Sequence, residues 1–232
     1  MSDYIFAPPE PVGLPVRGDA RRFPVRRVYC VGRNYAAHAR EMGHDPDREP
    51  PFFFQKNPDD LNLSGRFAYP ALSKDVHFEI ELVAALGPSL AGHMGPVDKD
   101  KALEHVWGYA VGLDMTRRDL QGAAKKAGRP WEVGKAFAGS APIGPLAPVF
   151  ETGHPERGAV TLDVNGARRQ EGNLSELIWS LPEIIGHLSA LFPLAPGDLI
   201  FTGTPSGVGP VAPGDVMFGA VEGVGSLEVQ VV

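Results

Sequence analysis

Residues 77–86 read HFEIELVAAL, and how this run folds decides how the rest of the chain is read. As a strand, alternate side chains share a face. His77, Glu79 and Glu81 then point one way and Phe78, Ile80 and Leu82 the other. Two carboxylates stand roughly 7 Å apart along one face, from a rise of about 3.3 Å per residue. As a helix, residues two apart do not face each other and the spacing carries nothing. The strand reading fits the apolar run that follows. A solvent-facing side of an antiparallel sheet is the plainer account of the glutamates, so a functional pair requires partners elsewhere in the chain.

The 232 residues around this run suit one sizeable domain or two small ones. Glycine (28) and proline (23) favour many turns and short elements over long helices. A formal charge of −6 and a pI near 5.6 give no electrostatic footprint for nucleic acid or an anionic membrane. No apolar run approaches the 18 residues of a membrane span. The start, MSDYIFAPPEPVGLPV, lacks the basic and apolar regions of a signal peptide. The single cysteine, Cys30, sits in the apolar run VYCVG. It is expected to be a small buried side chain in a reducing, cytoplasmic setting.

Outward from the central run, residues 1–24 read as a proline-rich arm and 25–232 as a single catalytic domain. VRRVYCVG predicts a buried strand ending at Gly32. NYAAHAREMG predicts a short helix capped by Asn34 and stopped by Gly43. DKDKALEHVWGYAVGLDMT predicts a short helix entering a strand that ends at Asp114, and RRDLQGAAKKAG a further helix. Asn165-Gly166 predicts a type I′ hairpin turn. Ser180 and Glu183 have capping-box spacing before an apolar helix. The tail predicts strands joined by glycine turns. A β-dominated fold with short helices follows.

Several motif readings fail. GTPSGVG has no Lys-Ser/Thr after its last glycine and no long helix behind it, so it is not a phosphate loop. GAVEGVG lacks the strand–turn–helix setting of a dinucleotide site. The histidines have no zinc spacing, and no G-x-S-x-G elbow occurs.

Three constellations survive. Asp114 ends an apolar strand, where it is either a turn residue or a third carboxylate beside Glu79 and Glu81. Three such groups together resist ionising without a cation, and all-oxygen ligation suits Mg²⁺, Mn²⁺ or Ca²⁺. His38 and Glu41, three apart on a helix, can touch. A carboxylate on one ring nitrogen leaves the other to accept a proton from water, although a surface pair has the same spacing. Lys135, among small and apolar neighbours, either meets an oxyanion in a pocket or reaches solvent from a strand end.

In this order VYCVGRNYAAHAREM, HFEIEL, GYAVGLDMTRRDLQ, KAFAGSAPIGP, VNGARRQEG and PGDLIFTGTPSGVGPV resemble the fumarylacetoacetate hydrolase family over about residues 26–232. The stretch EMGHDPDREPPFFFQKNPDDL most resembles the fumarylpyruvate hydrolases of gentisate breakdown. The resemblance implies a β-dominated α+β fold, a mixed β-roll or sandwich with short helices. It implies Mg²⁺ or Mn²⁺ on Glu79, Glu81 and Asp114, with Ca²⁺ as a further candidate. His38 and Glu41 match its water-activating pair, and Arg33, Gln121, Lys135 and Thr204 match its arginine, glutamine, lysine and threonine. Phe78 departs from relatives that carry a second histidine there.

The implied activity is metal-dependent hydrolysis of an acylpyruvate carbon–carbon bond, with fumarylpyruvate giving fumarate and pyruvate. The implied assembly is a homodimer. Arg33, Arg40, Lys56 and Arg129 are the candidates to meet a distal substrate carboxylate. Two rivals stand beside this reading. One is an oxaloacetate decarboxylase or 2-oxo acid decarboxylase or isomerase of the same family. The other is a non-catalytic β-rich binding module stabilised by Ca²⁺.

Overall fold

The computed structural model describes residues 4–41 and 49–232, the side chains of 39 and 40 excepted. Its centre is Ile80–Leu86, a strand in which every residue is buried. It lies in a six-stranded sheet ordered Ala147–Pro148, Val106–Leu113, Ile80–Leu86, Leu199–Phe201, Val28–Gly32 and Phe52–Lys56. All neighbours run antiparallel except Leu199–Phe201 and Val28–Gly32, which are parallel.

Both faces of this sheet are covered, which is why the sequence turns from alternation to the continuous apolar run VAAL. On one face Ile80, Leu82, Ala84 and Leu86 join the main core. There they meet Leu162, Met217 and Val229 of a five-stranded sheet and Ile184, Ile185 and Leu188 of the helix Leu181–Leu191. On the other face Val83 and Ala85 share a second core with Val28, Cys30, Leu199 and Phe201. Each fully buried side chain of this size contributes about 1.5–3 kcal/mol. The opening residues, read as an arm, carry a hairpin, Gly13–Val16 with Asp19–Pro24, whose Leu14 and Phe23 lie in that second core.

The strand reading of 77–86 needs one correction. Val76–Phe78 pairs with Thr116–Arg117 and Gly209–Pro210 in a separate three-stranded sheet, and the central strand begins only at Ile80. Glu79 occupies the crossing, its carbonyl accepting from the Asp114 amide at 2.9 Å. The partner strand ends at Leu113, opposite Ile80, so Asp114 also stands where one sheet gives way to the next. Glu81 is the first position inside the central strand on the face that Val83 and Ala85 share. Two chain crossings and one strand position therefore place three carboxylates together.

Local signals elsewhere hold. Asn165 and Gly166 take φ of 52° and 76° between the strands Ala159–Val164 and Ala167–Asn173, as a type I′ turn requires. Glu183 accepts from the Ser180 amide at 3.0 Å at the start of Leu181–Leu191. Asn34 is not the helix cap that its position suggested. Wholly buried, it donates to the carbonyls of Trp179 and Thr202 at 3.0 and 2.8 Å and accepts from the Trp179 amide at 2.8 Å. It is a brace between distant segments, and the helix it precedes runs Ala36–Glu41. Gly43 lies outside the described residues.

Candidate active site

Glu79, Glu81 and Asp114 are 5%, 2% and 1% exposed, so the pair in HFEIEL does not face water. One ligand atom from each lies within 4.8 Å of the others. Three charges so placed require neutralisation, and the fold supplies it unevenly. Glu79 accepts from Lys135 Nζ at 3.0 Å, Arg118 Nη2 at 2.6 Å and Thr116 Oγ1 at 3.0 Å. Asp114 accepts from Lys135 Nζ at 2.5 Å. Its other oxygen lies 2.8 Å from Lys56 Nζ, yet no donor is aligned on it. Glu81 accepts from the Gly203 amide at 2.7 Å.

This asymmetry separates the two glutamates electrostatically. Burial pushes the Glu79 carboxyl up, but Lys135 and Arg118 outweigh it and hold the group below the usual carboxylate range. Burial drives Glu81 well above that range, and the charges of Asp114 and Glu79 add to the shift. For Lys135, burial opposes the charged form, but Asp114 and Glu79 raise its ammonium above the ordinary value. A buried Asp114 oxygen with no aligned donor, a Glu81 carboxyl disfavoured as an anion by burial and its acidic neighbours, and an all-oxygen donor set together fit a hard divalent cation.

His38 lines the same pocket as the triad. Its Nδ1 lies 3.3 Å from Glu41 Oε2 within the helix Ala36–Glu41. Glu41 in turn accepts from the Gly207 amide at 3.2–3.3 Å. A Cβ at Gly207 would lie 2.2 Å from the Arg169 carbonyl, and its φ is +91°, so only glycine brings that amide close. The glycine-rich PSGVG stretch is thus the clamp on Glu41 rather than a phosphate cradle.

Arg33, Gln121, Lys135 and Thr204, the four matched to the family's pattern, all line the pocket. Gln121 Oε1 accepts from Arg118 Nη1 at 2.7 Å. Thr204 Oγ1 accepts from Gln170 Nε2 at 2.8 Å, while Gln170 Oε1 receives the Ile80 amide at 3.0 Å. Lys135 ends the short helix Glu132–Lys135, which packs against Arg118–Lys126. A Cβ at Gly134 would come within 2.8 Å of the Gln121 backbone nitrogen, so that glycine sets the approach of the two helices.

The four candidates for a distal carboxylate separate. Lys56 is buried and committed: it donates to the Lys135 carbonyl, to Ser140 Oγ at 3.0 Å and faces Asp114. Arg129 is exposed just past Arg118–Lys126 and does not line the pocket. The Arg40 side chain lies outside the described residues. Arg33 remains. Sequence reasoning missed Arg118, Lys125 and Trp131, all of which line the pocket. The spacing 118, 121, 125 is one helical stripe and is the signal that would have found two of them.

With the geometry in place, comparison with known proteins is informative. The C-terminal domain of fumarylacetoacetate (FAA) hydrolase matches residues 27–232. A crystal structure of fumarylpyruvate hydrolase from Pseudomonas aeruginosa, in complex with Mn²⁺ and pyruvate, is 55% identical. It covers 99% of each chain with a TM-score of 0.93. A fumarylpyruvate hydrolase of Ralstonia is 44% identical over 82% of this chain and 98% of its own. An oxaloacetate tautomerase of Escherichia coli is 39% identical over 81% of this chain and 84% of its own. The β-dominated architecture with few short helices agrees with these relatives. The chain belongs to the fumarylacetoacetate hydrolase family.

Proposed function

We propose that this enzyme hydrolyses the carbon–carbon bond between the two carbonyls of an acylpyruvate, converting fumarylpyruvate to fumarate and pyruvate. The observation that carries the reading is His38, held by Glu41 and opening on the same pocket as three buried carboxylates. A divalent cation on Glu79, Glu81 and Asp114, Mg²⁺ or Mn²⁺, would supply Lewis acidity at the 2-oxo acid end of the substrate. The Mn²⁺ and pyruvate held by the Pseudomonas relative support that placement.

The chain's own groups divide the remaining work. Glu41 orients the imidazole through Nδ1, leaving Nε2 to take a proton from water. The resulting hydroxide adds to the carbonyl carbon remote from the 2-oxo acid. The bond between that carbonyl carbon and the pyruvate methylene breaks, its electron pair leaving on pyruvate as an enolate, and protonation at the methylene carbon completes the methyl group of pyruvate. Gln121 and Arg118 offer hydrogen bonds to substrate oxygens, and Lys135 adds positive charge where negative charge develops. Arg33 and Thr204 bind substrate at the pocket wall.

Isomerisation of oxaloacetate is the second reading, supported by the tautomerase relative. It needs a proton moved on carbon but no attacking water. A structural Ca²⁺ alone would leave the His38–Glu41 pair without work. The ultraviolet decay of fumarylpyruvate with purified protein, with Mg²⁺ and then EDTA, separates these. Fast, EDTA-sensitive loss with stoichiometric fumarate and pyruvate is expected; turnover of oxaloacetate alone would move the assignment to the isomerase or decarboxylase reading. A homodimer and a cytoplasmic location belong to the same proposal, and light scattering tests the first.

A further inference from the structure

The triad end of the pocket accounts for the 2-oxo acid, but half of a dicarboxylate substrate extends beyond it. On the helix Arg118–Lys126, the residues Arg118, Gln121 and Lys125 form one stripe facing the pocket. Arg118 is fixed at the triad through Glu79. Lys125 stands seven residues on, about 10 Å further along the axis at 1.5 Å per residue. The seven-carbon chain of fumarylpyruvate, with a carboxylate at each end, spans roughly 7 Å between its end carbons when extended, six bonds at the reach of a fully extended backbone. The stripe therefore matches the substrate's length, with a side chain's reach to spare.

Two further features belong to this pocket. Arg33 lines it from the loop after Val28–Gly32, and its φ of 59° is a left-handed conformation that non-glycine residues rarely hold. The chain beside Arg33 is fixed by its buried neighbour Asn34, which makes three hydrogen bonds to residues 179 and 202. Phe54 and Trp131 give the same pocket an aromatic wall, their ring centroids 6.1 Å apart. That wall suits the planar, conjugated middle of an enedioic acyl group. Lys125 lines the pocket from an exposed position, where partial desolvation lowers its ammonium below the ordinary value and the charges of Arg33 and Arg118 lower it further.

Resting on the acylpyruvate reading above, we propose that Lys125 and Arg33 form the distal-carboxylate subsite and make the enzyme selective for acylpyruvates whose acyl group ends in a carboxylate. Lys125 is then a specificity residue rather than a catalytic one.

The test compares the wild type with Lys125→Met and Lys125→Arg, on fumarylpyruvate and acetylpyruvate, in the metal-loaded enzyme. The ratio of kcat/KM for fumarylpyruvate to that for acetylpyruvate should fall about tenfold in Lys125→Met, from a charge-assisted contact at the pocket mouth. It should recover in Lys125→Arg. An unchanged ratio in Lys125→Met overturns the subsite. A readout free of turnover uses fumarate against crotonate, which lacks the second carboxylate, titrated calorimetrically. The wild type should favour fumarate and Lys125→Met should lose that preference; equal preference in both overturns the inference. Should the wild type hydrolyse no acylpyruvate, the reaction assignment falls, and the titration still decides the subsite.

Discussion

Replacing Lys56 by methionine removes a cation while keeping most of the volume. Lys56 Nζ is fully buried 2.8 Å from Asp114 Oδ1 and also serves Ser140 Oγ and the Lys135 carbonyl. At an effective dielectric near 20, two charges at that distance attract by about 6 kcal/mol before desolvation. Desolvation offsets most of that for the intact pair, but removing one partner strands the other, at a cost of about 3–5 kcal/mol. Against a total of about 5–15 kcal/mol for a typical domain, the metal-free variant should be barely folded. A divalent cation offered to the triad restores the missing charge. At a concentration one hundred times its Kd it returns about 2.7 kcal/mol. Urea denaturation of wild type and Lys56→Met, each with EDTA and with Mg²⁺, measures both quantities. A loss under about 1 kcal/mol in EDTA, with a raised KM for a dicarboxylate substrate, would refute the counter-ion role. It would return Lys56 to the substrate side of the pocket.

His38→Ala should abolish hydrolysis while leaving Mn²⁺ affinity intact by calorimetry; joint loss of both would refute the separation of proton transfer from metal binding. Gly134→Ala should cost about 1–3 kcal/mol of stability and lower turnover, since the added methyl meets the Gln121 backbone; unchanged melting temperature and activity would show that the two helices can part freely. Without metal, Glu81 has a folded pKa raised above its unfolded value, chiefly by burial. Its contribution to stability is therefore lost as pH climbs from the unfolded value through the folded one. Denaturation in EDTA should display that decline, Glu81→Gln should remove it, and an identical profile in both proteins would sink the attribution.

The sequence made the site's chemistry visible where the signal was local. Glu79 and Glu81 share a dipeptide period, His38 and Glu41 share a helical turn, and Asn165-Gly166 dictates its own backbone. What stayed hidden depends on long-range contact. The alternation in HFEIEL runs unbroken through Glu79, so periodicity gives no sign that the chain changes sheets there. Lys56 looks like a strand-end charge bound for solvent, and only Ser140, 84 positions away, and Asp114 reveal it as interior. Asn34 has the residue type and position of a cap, yet its partners come from residues 179 and 202. Lys125 sits in a basic pair, AAKKAG, where the wet and pocket-facing faces are told apart only by the helix's neighbours.

The placement of Glu81 within a central strand, and of Glu79 and Asp114 at its crossings, has a consequence for descent. These three are tied to strand pairing, so exchanging any of them disturbs the interior. Arg33, His38, Lys125 and Trp131 belong to short loops and helices outside the sheets, where an exchange leaves the strand pairing untouched. Inheritance can therefore keep the carboxylates fixed while substrate range drifts. A lineage built this way would yield hydrolases and tautomerases from one scaffold without ever passing through an unfolded ancestor.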